Sequence, residues 1–595
     1  MTKKRLVLIL LCCALLISLL AGCGPRSDDE EADEQDDVKY AQDEATDAPD
    51  DVTNVQYDIT DTRYGNLARL GKVWGFAKYT HYSFISGQLD WDAELLNLIP
   101  VIYDSDDEDV TGILYEWFVS LGEDGYDFEC EWGAVLDDLN SRPVADLSWI
   151  NNGYLGVPLA ARLLRFDGIR ISDTRAGPVR ILRTPDFSNQ SYHPDMDFSD
   201  PGYRLLGLFR LWNAMNYYYP HLGILDVEWN DLLIEYIPMM LDGTDRHSYE
   251  RTLAMMARHM RDSSHLSFTG KTIFMDTFGH YMSPVLMREA EGRLVVNEMI
   301  GPDNPFERGD VILGLNGRDI DEITAEMLRL LPYPTEEKAL AYLTVARPFI
   351  LRSHTPDMEV NVLRDDTQMV LNVEAVDGEW IMQHWTGFSP DAGQSHVLLD
   401  NNIGLINPGM QSLGTVVRAM TEFADTDGII IDLCQYPNTG DFPFEMITYL
   451  LEESMMPFGY ISEPSRTHPG ARWDHPWIWP HATNMFAYIY DRPVALLMDE
   501  QTISYAESVI MFFRMAPNVT VIGPWSMGSN GNVTELPLPG GITMQFTSFG
   551  CYTLEMGQTH RIGLEPDIRV NRTIQGITEG RDEIMEAAIR YILGD

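Results

Sequence analysis

The fold turns on residues 492–514, RPVALLMDEQTISYAESVIMFFR. The run from Pro493 to Met498 is short and wholly apolar, as expected of a strand buried on both faces. After Ser504 the apolar residues follow a helical pattern, so a strand passes through a short polar joint into a helix. Glu507 stands three residues after Ser504, the spacing of a capping box in which each side chain satisfies the other residue's backbone N–H. A serine at such a joint also lies among the free N–H groups and the positive dipole end of a helix, where developing negative charge is favoured. Ser504 is thus a candidate both for a cap and for a nucleophile.

The same alternation extends to either side. NNIGLINP (401–408) reads as a strand, SLGTVVRAMTEFAD (412–425) as a helix and GIIIDLCQYP (428–437) as a second buried strand; VTVIGP (519–524) is another. Strands alternating with helices predict a parallel sheet built from crossovers over 377–595. GRDEIMEAAIRYIL (580–593) closes it as an amphipathic helix.

Further upstream the chain repeats itself. RLGKVWGFAKYTHY (69–82) echoes RLLGLFRLWNAMNYYYP (204–220), and DWDAELLNLIPVIYD (90–104) echoes EWNDLLIEYIPMMLD (228–242). Trp74 and Trp212, Trp91 and Trp229, and Pro100 and Pro238 are each 138 residues apart. Two related helical units are expected, 59–198 with a mixed α/β segment and 199–272. They diverge where they end, the first at SLGEDGYDFEC (120–130) and the second at HMRDSSHLSF (259–268). Only the second offers a histidine in a small-polar turn just past a helix, His265. Between the helical and α/β parts, residues 273–376 alternate like short strands, with LVVNEMIGPDNPFERGDVILGLNGRDIDEI (294–323) punctuated by Gly-Asp and Asn-Gly turns.

Length and charge bound the rest. A chain of 595 residues predicts several domains. The formal net charge of -49 repels phosphate backbones and argues against nucleic-acid binding. MTKKRLVLILLCCALLISLLAGCG (1–24) has a basic start, an apolar stretch and the tail LLAGC, which reads as a secretory signal with a bacterial lipobox lipidated at Cys23. Residues 24–58 are acidic and poor in large apolar groups, a solvated tether. The expected location is the extracytoplasmic face of a cell membrane, with the bilayer as a partner through acylated Cys23. Of six cysteines, Cys12 and Cys13 fall in the signal, and Cys130, Cys434 and Cys551 are too far apart for a disulfide framework or a zinc site. They read as buried free thiols, and no metal or cofactor is expected.

Taken in order, DSSH (262–265), GDVILGLNG (309–317), IIIDL (429–433), Thr502-x-Ser504-x-x-Glu507, GSNGNV (528–533) and GLEPDI (563–568) resemble the C-terminal processing and tricorn-like serine peptidases, from about residue 60 to the end. The resemblance is closest to lipoprotein or secreted members whose serine motif reads Thr-x-Ser-x-Ala-Glu. It implies a multidomain α+β protein: duplicated helical units, a PDZ-like β domain over 273–376 and a C-terminal α/β catalytic domain of crotonase-like ββα type. It also implies a serine endopeptidase acting on peptide or protein substrates. Ser504 falls on the family's nucleophile, His265 on the histidine of the tricorn-like branch, and the Asp432–Leu433 strand end on the segment carrying one oxyanion donor. The N–H of Tyr505 is the first expected oxyanion donor, and the backbone near Thr439 and Gly440 the second.

The family's processing peptidases use a lysine about two dozen residues after the serine. Here GPWSMGSNGNV (523–533) has Ser529 in that place, and Lys338 is the last lysine of the chain. A Ser–Lys dyad within the α/β domain is therefore excluded, and a histidine is the expected base. His265 is preferred, with His560, near the expected rim of the site, as its rival. His468, His475 and His481 sit in THPGARWDHPWIWPH (467–481), expected to be a structured loop. Glu555 and Glu507 are further candidates for base or orienting group, and Asp262 for shaping the turn before His265. The alternative to a peptidase is a catalytically inactive peptide- or ligand-binding lipoprotein on the same fold.

Overall fold

The apolar runs form the centre of a six-stranded sheet. In a computed structural model of the chain, strands His396–Leu398, Ile403–Ile406, Gly428–Asp432, Val494–Leu497, Val519–Gly523 and Ile568–Arg569 lie side by side in that order. The first pair is antiparallel and the remaining pairs are parallel, with Ile431 beside Leu496 and Leu496 beside Val521. Both faces are covered, which is why these strands carry no polar alternation. Helix Glu583–Leu593 packs Ile584, Ala588 and Ile592 on Ile430, Ala495 and Leu497. Helices Thr415–Glu422, Phe442–Leu450 and Tyr505–Phe513 close the other face through Met420, Phe442, Val509 and Phe513. The structure describes residues 59–595 apart from 124–140, 152, 168–175, 182–183, 264–267, 270–271, 302–303, 347–349, 385–393, 412–413, 438–439, 453–455, 466–467, 480–487 and 595. The signal, Cys23, the tether, Cys130, His265, Thr439 and His481 lie outside the described residues.

The duplication takes physical form at the offset read from the sequence. Helices Thr62–Thr80, Trp91–Tyr103 and Asp107–Ser120 recur as Pro201–Tyr218, Trp229–Asp242 and Arg246–Ala257. Trp74 Nε1 donates to the Trp91 carbonyl at 2.7 Å, and Trp212 Nε1 to the Trp229 carbonyl at 2.9 Å. The copies also exchange contacts: Lys72 Nζ donates to the Asn230 carbonyl at 3.2 Å, and its counterpart Arg210 donates to Asp92. The first helices of the two copies cross closely because Gly71 and Gly75 lack side chains. A Cβ on Gly75 would lie 1.8 Å from Asn213 Oδ1.

Between the helical and α/β parts stands a small antiparallel sheet of five strands in the order Thr367–Glu374, Asp357–Arg364, Val311–Leu315, Arg293–Met299 and Val285–Ala290, with Arg318–Asp319 paired to the third. THPGARWDHPWIWPH is not a loop as expected: Ala471–Ile478 is a strand, paired along its length with Pro457–Pro464. Among the described residues its other edge pairs with Ser141–Pro143 at 471–473. Residues 57–595 pack as one compact unit, and one apolar core runs from Leu67 through the small sheet to Phe546.

Candidate active site

The joint at Ser504 is built by its own short sequence. The backbone N–H of Asp499 donates to Thr502 Oγ1 at 2.9 Å, and the Thr502 N–H donates back to the Asp499 carbonyl at 3.0 Å. Thr502 Oγ1 also lies 3.3 Å from the Leu433 carbonyl, tying the joint to the end of the neighbouring strand. Ser504 follows with φ 56° and ψ −120°, and helix Tyr505–Phe513 begins after it. A non-glycine residue in that region is strained, and such strain gathers at functional sites. The Ser504 hydroxyl is half-buried and makes no cap hydrogen bond.

The capping box is not formed. Glu507 is buried and turns away from the Ser504 N–H: its carboxylate accepts from the Ser526 hydroxyl, from the Gly528 N–H at 3.0 Å and from the Ser529 N–H at 3.1 Å. Burial raises its pKa despite these donors. The Ser504 N–H donates instead to the Ser529 carbonyl at 2.7 Å, and the Met527 N–H donates to the Thr502 carbonyl at 3.0 Å. Loop 526–529 therefore runs alongside 502–504 and fixes the serine from outside its helix. Spacing along a helix points to the wrong partner because it cannot reveal a loop that offers Glu507 three donors.

Two cations from the middle of the chain complete the support. Arg288, on strand Val285–Ala290, donates to Asp499 Oδ2 at 2.7 Å and to Glu500 Oε1 at 3.0 Å. Burial alone would raise the Asp499 carboxyl, but Arg288 and Arg572 hold it below its usual range. Lys338 Nζ reaches the Ser526 carbonyl at 2.6 Å, Met527 at 3.2 Å, Arg561 at 3.3 Å and Ile562 at 2.6 Å. Sequence reasoning sets Lys338 aside as lying outside the α/β segment. Its position as the last lysine is the available signal.

The other candidates fall in different places. The Tyr505 hydroxyl donates to the Gly440 carbonyl at 3.2 Å, which brings Gly440 to the start of the serine helix. The Tyr505 N–H, in the first turn, has no partner within its own helix. His560 is not at a rim: it is 1% exposed, stacked on His221 with ring centroids 3.9 Å apart, and its Nε2 lies 2.9 Å from the Tyr219 hydroxyl. Burial lowers its pKa to about 4, and His560 makes no hydrogen bond to Ser504. Glu555 is exposed in the turn closed by the Thr553 N–H to the Gly557 carbonyl, and no histidine contacts it among the described residues. Asp262 is buried, accepting from the Thr547 N–H at 2.7 Å and from the Thr547 hydroxyl at 2.9 Å. Phe268–Thr269, beyond the segment containing His265, pairs with the same strand, Ile542–Thr547. Cys551 is a buried free thiol and Cys434 a partly buried one.

Residues 408–570 match the family model Peptidase_S41, Peptidase family S41. The strand–serine–helix joint, its supporting loop and the four sheet strands from Gly428–Asp432 onward fall inside that match, so this segment is similar to the serine-type peptidases of family S41. Among solved structures it is similar to mature CPAF complexed with lactacystin, at 13% identity and a TM-score of 0.50, over 66% of this chain and 99% of that one. It is also similar to the photosystem II D1 C-terminal processing protease (13% identity, TM-score 0.37, 62% of this chain and 93% of that one). A third is the tricorn protease (13% identity, TM-score 0.31, 66% of this chain and 37% of that one). The similarity to CPAF is one of fold. No curated protein matches the sequence.

Proposed function

We propose that the protein is a lipid-anchored serine endopeptidase that cuts exported proteins or peptides on the extracytoplasmic face of a cell membrane. Ser504 Oγ attacks the scissile carbonyl while a histidine, His265, takes the hydroxyl proton and later gives it to the leaving amine. The Tyr505 N–H and the backbone at Gly440 receive the charge that develops on the carbonyl oxygen. Residues 273–376 act as a PDZ-like unit that presents the substrate, and the α/β part is a crotonase-like ββα domain. Anchoring rests on the lipobox at Cys23.

The observation that carries this reading is the backbone of Ser504, strained at φ 56° with a hydroxyl free of any capping bond. A serine serving as a helix cap would sit in an extended conformation and give its oxygen to the first turn. Support for His265 comes from anchoring on both sides of its segment, through Asp262 and Phe268–Thr269, to one strand. The test is labelling with a fluorophosphonate probe alongside hydrolysis of a casein-type substrate. Labelling and hydrolysis that both vanish in Ser504→Ala support the assignment. Full hydrolysis by Ser504→Ala overturns it, and folded wild-type protein that neither labels nor cleaves makes the chain a peptide-binding lipoprotein.

A further inference from the structure

Lys338 belongs to a short 3-10 turn, Glu336–Lys338, that follows the small sheet's helix Ile320–Leu328 and lies far from the serine in sequence. Its ammonium is surrounded by four backbone carbonyls from two loops of the peptidase domain, Ser526–Met527 and Arg561–Ile562. The attachment is reciprocal: Arg561 Nε donates to the Pro334 carbonyl at 3.0 Å, and its guanidinium goes on to Asp226 at 2.9 Å. The first loop is the one that sets the serine. The Ser526 hydroxyl donates to Glu507, the Met527 N–H holds the Thr502 carbonyl, and the Ser529 carbonyl holds the Ser504 N–H. The second loop is bound to the first by the Arg561 N–H to the Gly528 carbonyl at 2.7 Å and the Leu564 N–H to Ser526 Oγ at 2.7 Å.

Carbonyl oxygens brought together around one point repel unless a cation sits among them. We propose that Lys338 is a positioning residue for the nucleophile: its ammonium draws loops 526–527 and 561–562 together and thereby holds Ser504 in its strained, attacking conformation. This rests on Ser504 being the nucleophile. Lys338 touches neither the serine nor the substrate, so it acts on kcat and leaves KM in place.

Deprotonation removes the device. A neutral amine has two N–H donors for four acceptors and turns a lone pair toward the others. Burial lowers the Lys338 pKa to about 8, against the opposing pull of Glu507 and of exposed Glu337. These two carboxylates are the charged groups that face it, since the Arg561 guanidinium is turned to Asp226. The sign follows: the cation is present below about pH 8, and the serine loses its support as pH rises through that value.

The test uses the full chain with an internally quenched peptide. The expected results are a kcat that declines above about pH 8 in the wild type and a kcat about 10²-fold lower in Lys338→Met at pH 7, with KM unchanged, since displacement of about 1 Å costs that much. Because Lys338→Met also weakens packing, exposed Glu337→Gln serves as the second variant. Removing its charge moves the alkaline limb to lower pH without altering the kcat reached at pH 6.5. Hydrogen exchange at 526–529 is expected to quicken in Lys338→Met whichever residue is the nucleophile. A folded Lys338→Met with wild-type kcat, or an alkaline limb unmoved by Glu337→Gln, overturns the proposal. If Ser504→Ala still cleaves, it is the nucleophile assignment that fails instead.

Discussion

The strain at Ser504 is measurable by comparing two variants that lack its hydroxyl. Both Ser504→Ala and Ser504→Gly remove the hydroxyl, and neither breaks a capping bond, because the wild-type side chain makes none. They differ in how a residue tolerates φ 56° and ψ −120° and in the freedom of the unfolded chain. A residue with a Cβ held in a sparsely populated region costs roughly 1–3 kcal/mol, a cost that glycine escapes. Against this, glycine loses about 0.5–1 kcal/mol more chain freedom on folding. The balance favours Ser504→Gly over Ser504→Ala by about 0.5–2 kcal/mol. At about 2 cal/mol/K of unfolding entropy per residue, 1 kcal/mol shifts the melting of a unit this long by roughly 1 °C. Calorimetry on matched samples should therefore place Ser504→Gly about 0.5–2 °C above Ser504→Ala, with peptide hydrolysis absent from both. An alanine variant as stable as the glycine variant, or more stable, would refute the claim that the backbone is strained.

Other consequences follow from particular contacts. Glu507→Gln turns an amide N–H₂ toward at least one of three buried donors; it should cost about 1–3 kcal/mol and lower kcat, read by denaturation and by peptide hydrolysis. Gly75→Ala ordinarily favours a helix by about 1 kcal/mol, yet here the new methyl meets Asn213; the expected outcome is a lower melting temperature, with loss of about 1–3 kcal/mol from overpacking. His560 and His221 both have folded pKa values below 6.5 because they are buried, so the unfolded chain binds protons first as pH falls. Their contribution to stability is full above pH 6.5 and is lost progressively toward pH 4, each tenfold difference in proton affinity between folded and unfolded chain being worth ~1.4 kcal/mol. His560→Phe should flatten that slope in pH-dependent melting.

What can be read from the sequence is what depends on neighbours in the chain. The parallel sheet follows from short, uninterrupted apolar runs that alternate with helix-patterned segments. The duplication follows from tryptophans and prolines at a fixed offset, because each Trp Nε1 finds its carbonyl seventeen residues on in both copies. Ser504 is legible because a strand, a short joint and a helix leave a local signature. The partners of that joint are not, because they come from across the fold. Glu507 has the spacing of a cap partner, and only the packing of loop 526–529 reveals that its carboxylate is already taken. Lys338 is excluded as a dyad member by its place in the chain. Its amine nevertheless enters the domain from a neighbouring segment, which composition cannot register. His560 is expected at a rim because it stands near the closing motif, whereas the approach of His221 and Tyr219 encloses it.

The exchange between the two helical copies ties each unit to the other. At the offset of 138 residues Lys72 corresponds to Arg210 and Asp92 to Asn230. In the present chain each cation takes its acceptor from the other copy. Loss of the second copy would take the Asn230 carbonyl from Lys72, and loss of the first would take Asp92 from Arg210 while leaving it the Pro537 carbonyl at 3.1 Å. Each unit therefore supplies part of the other's polar packing, so a change at Asp92 in the first copy is felt at Arg210 in the second.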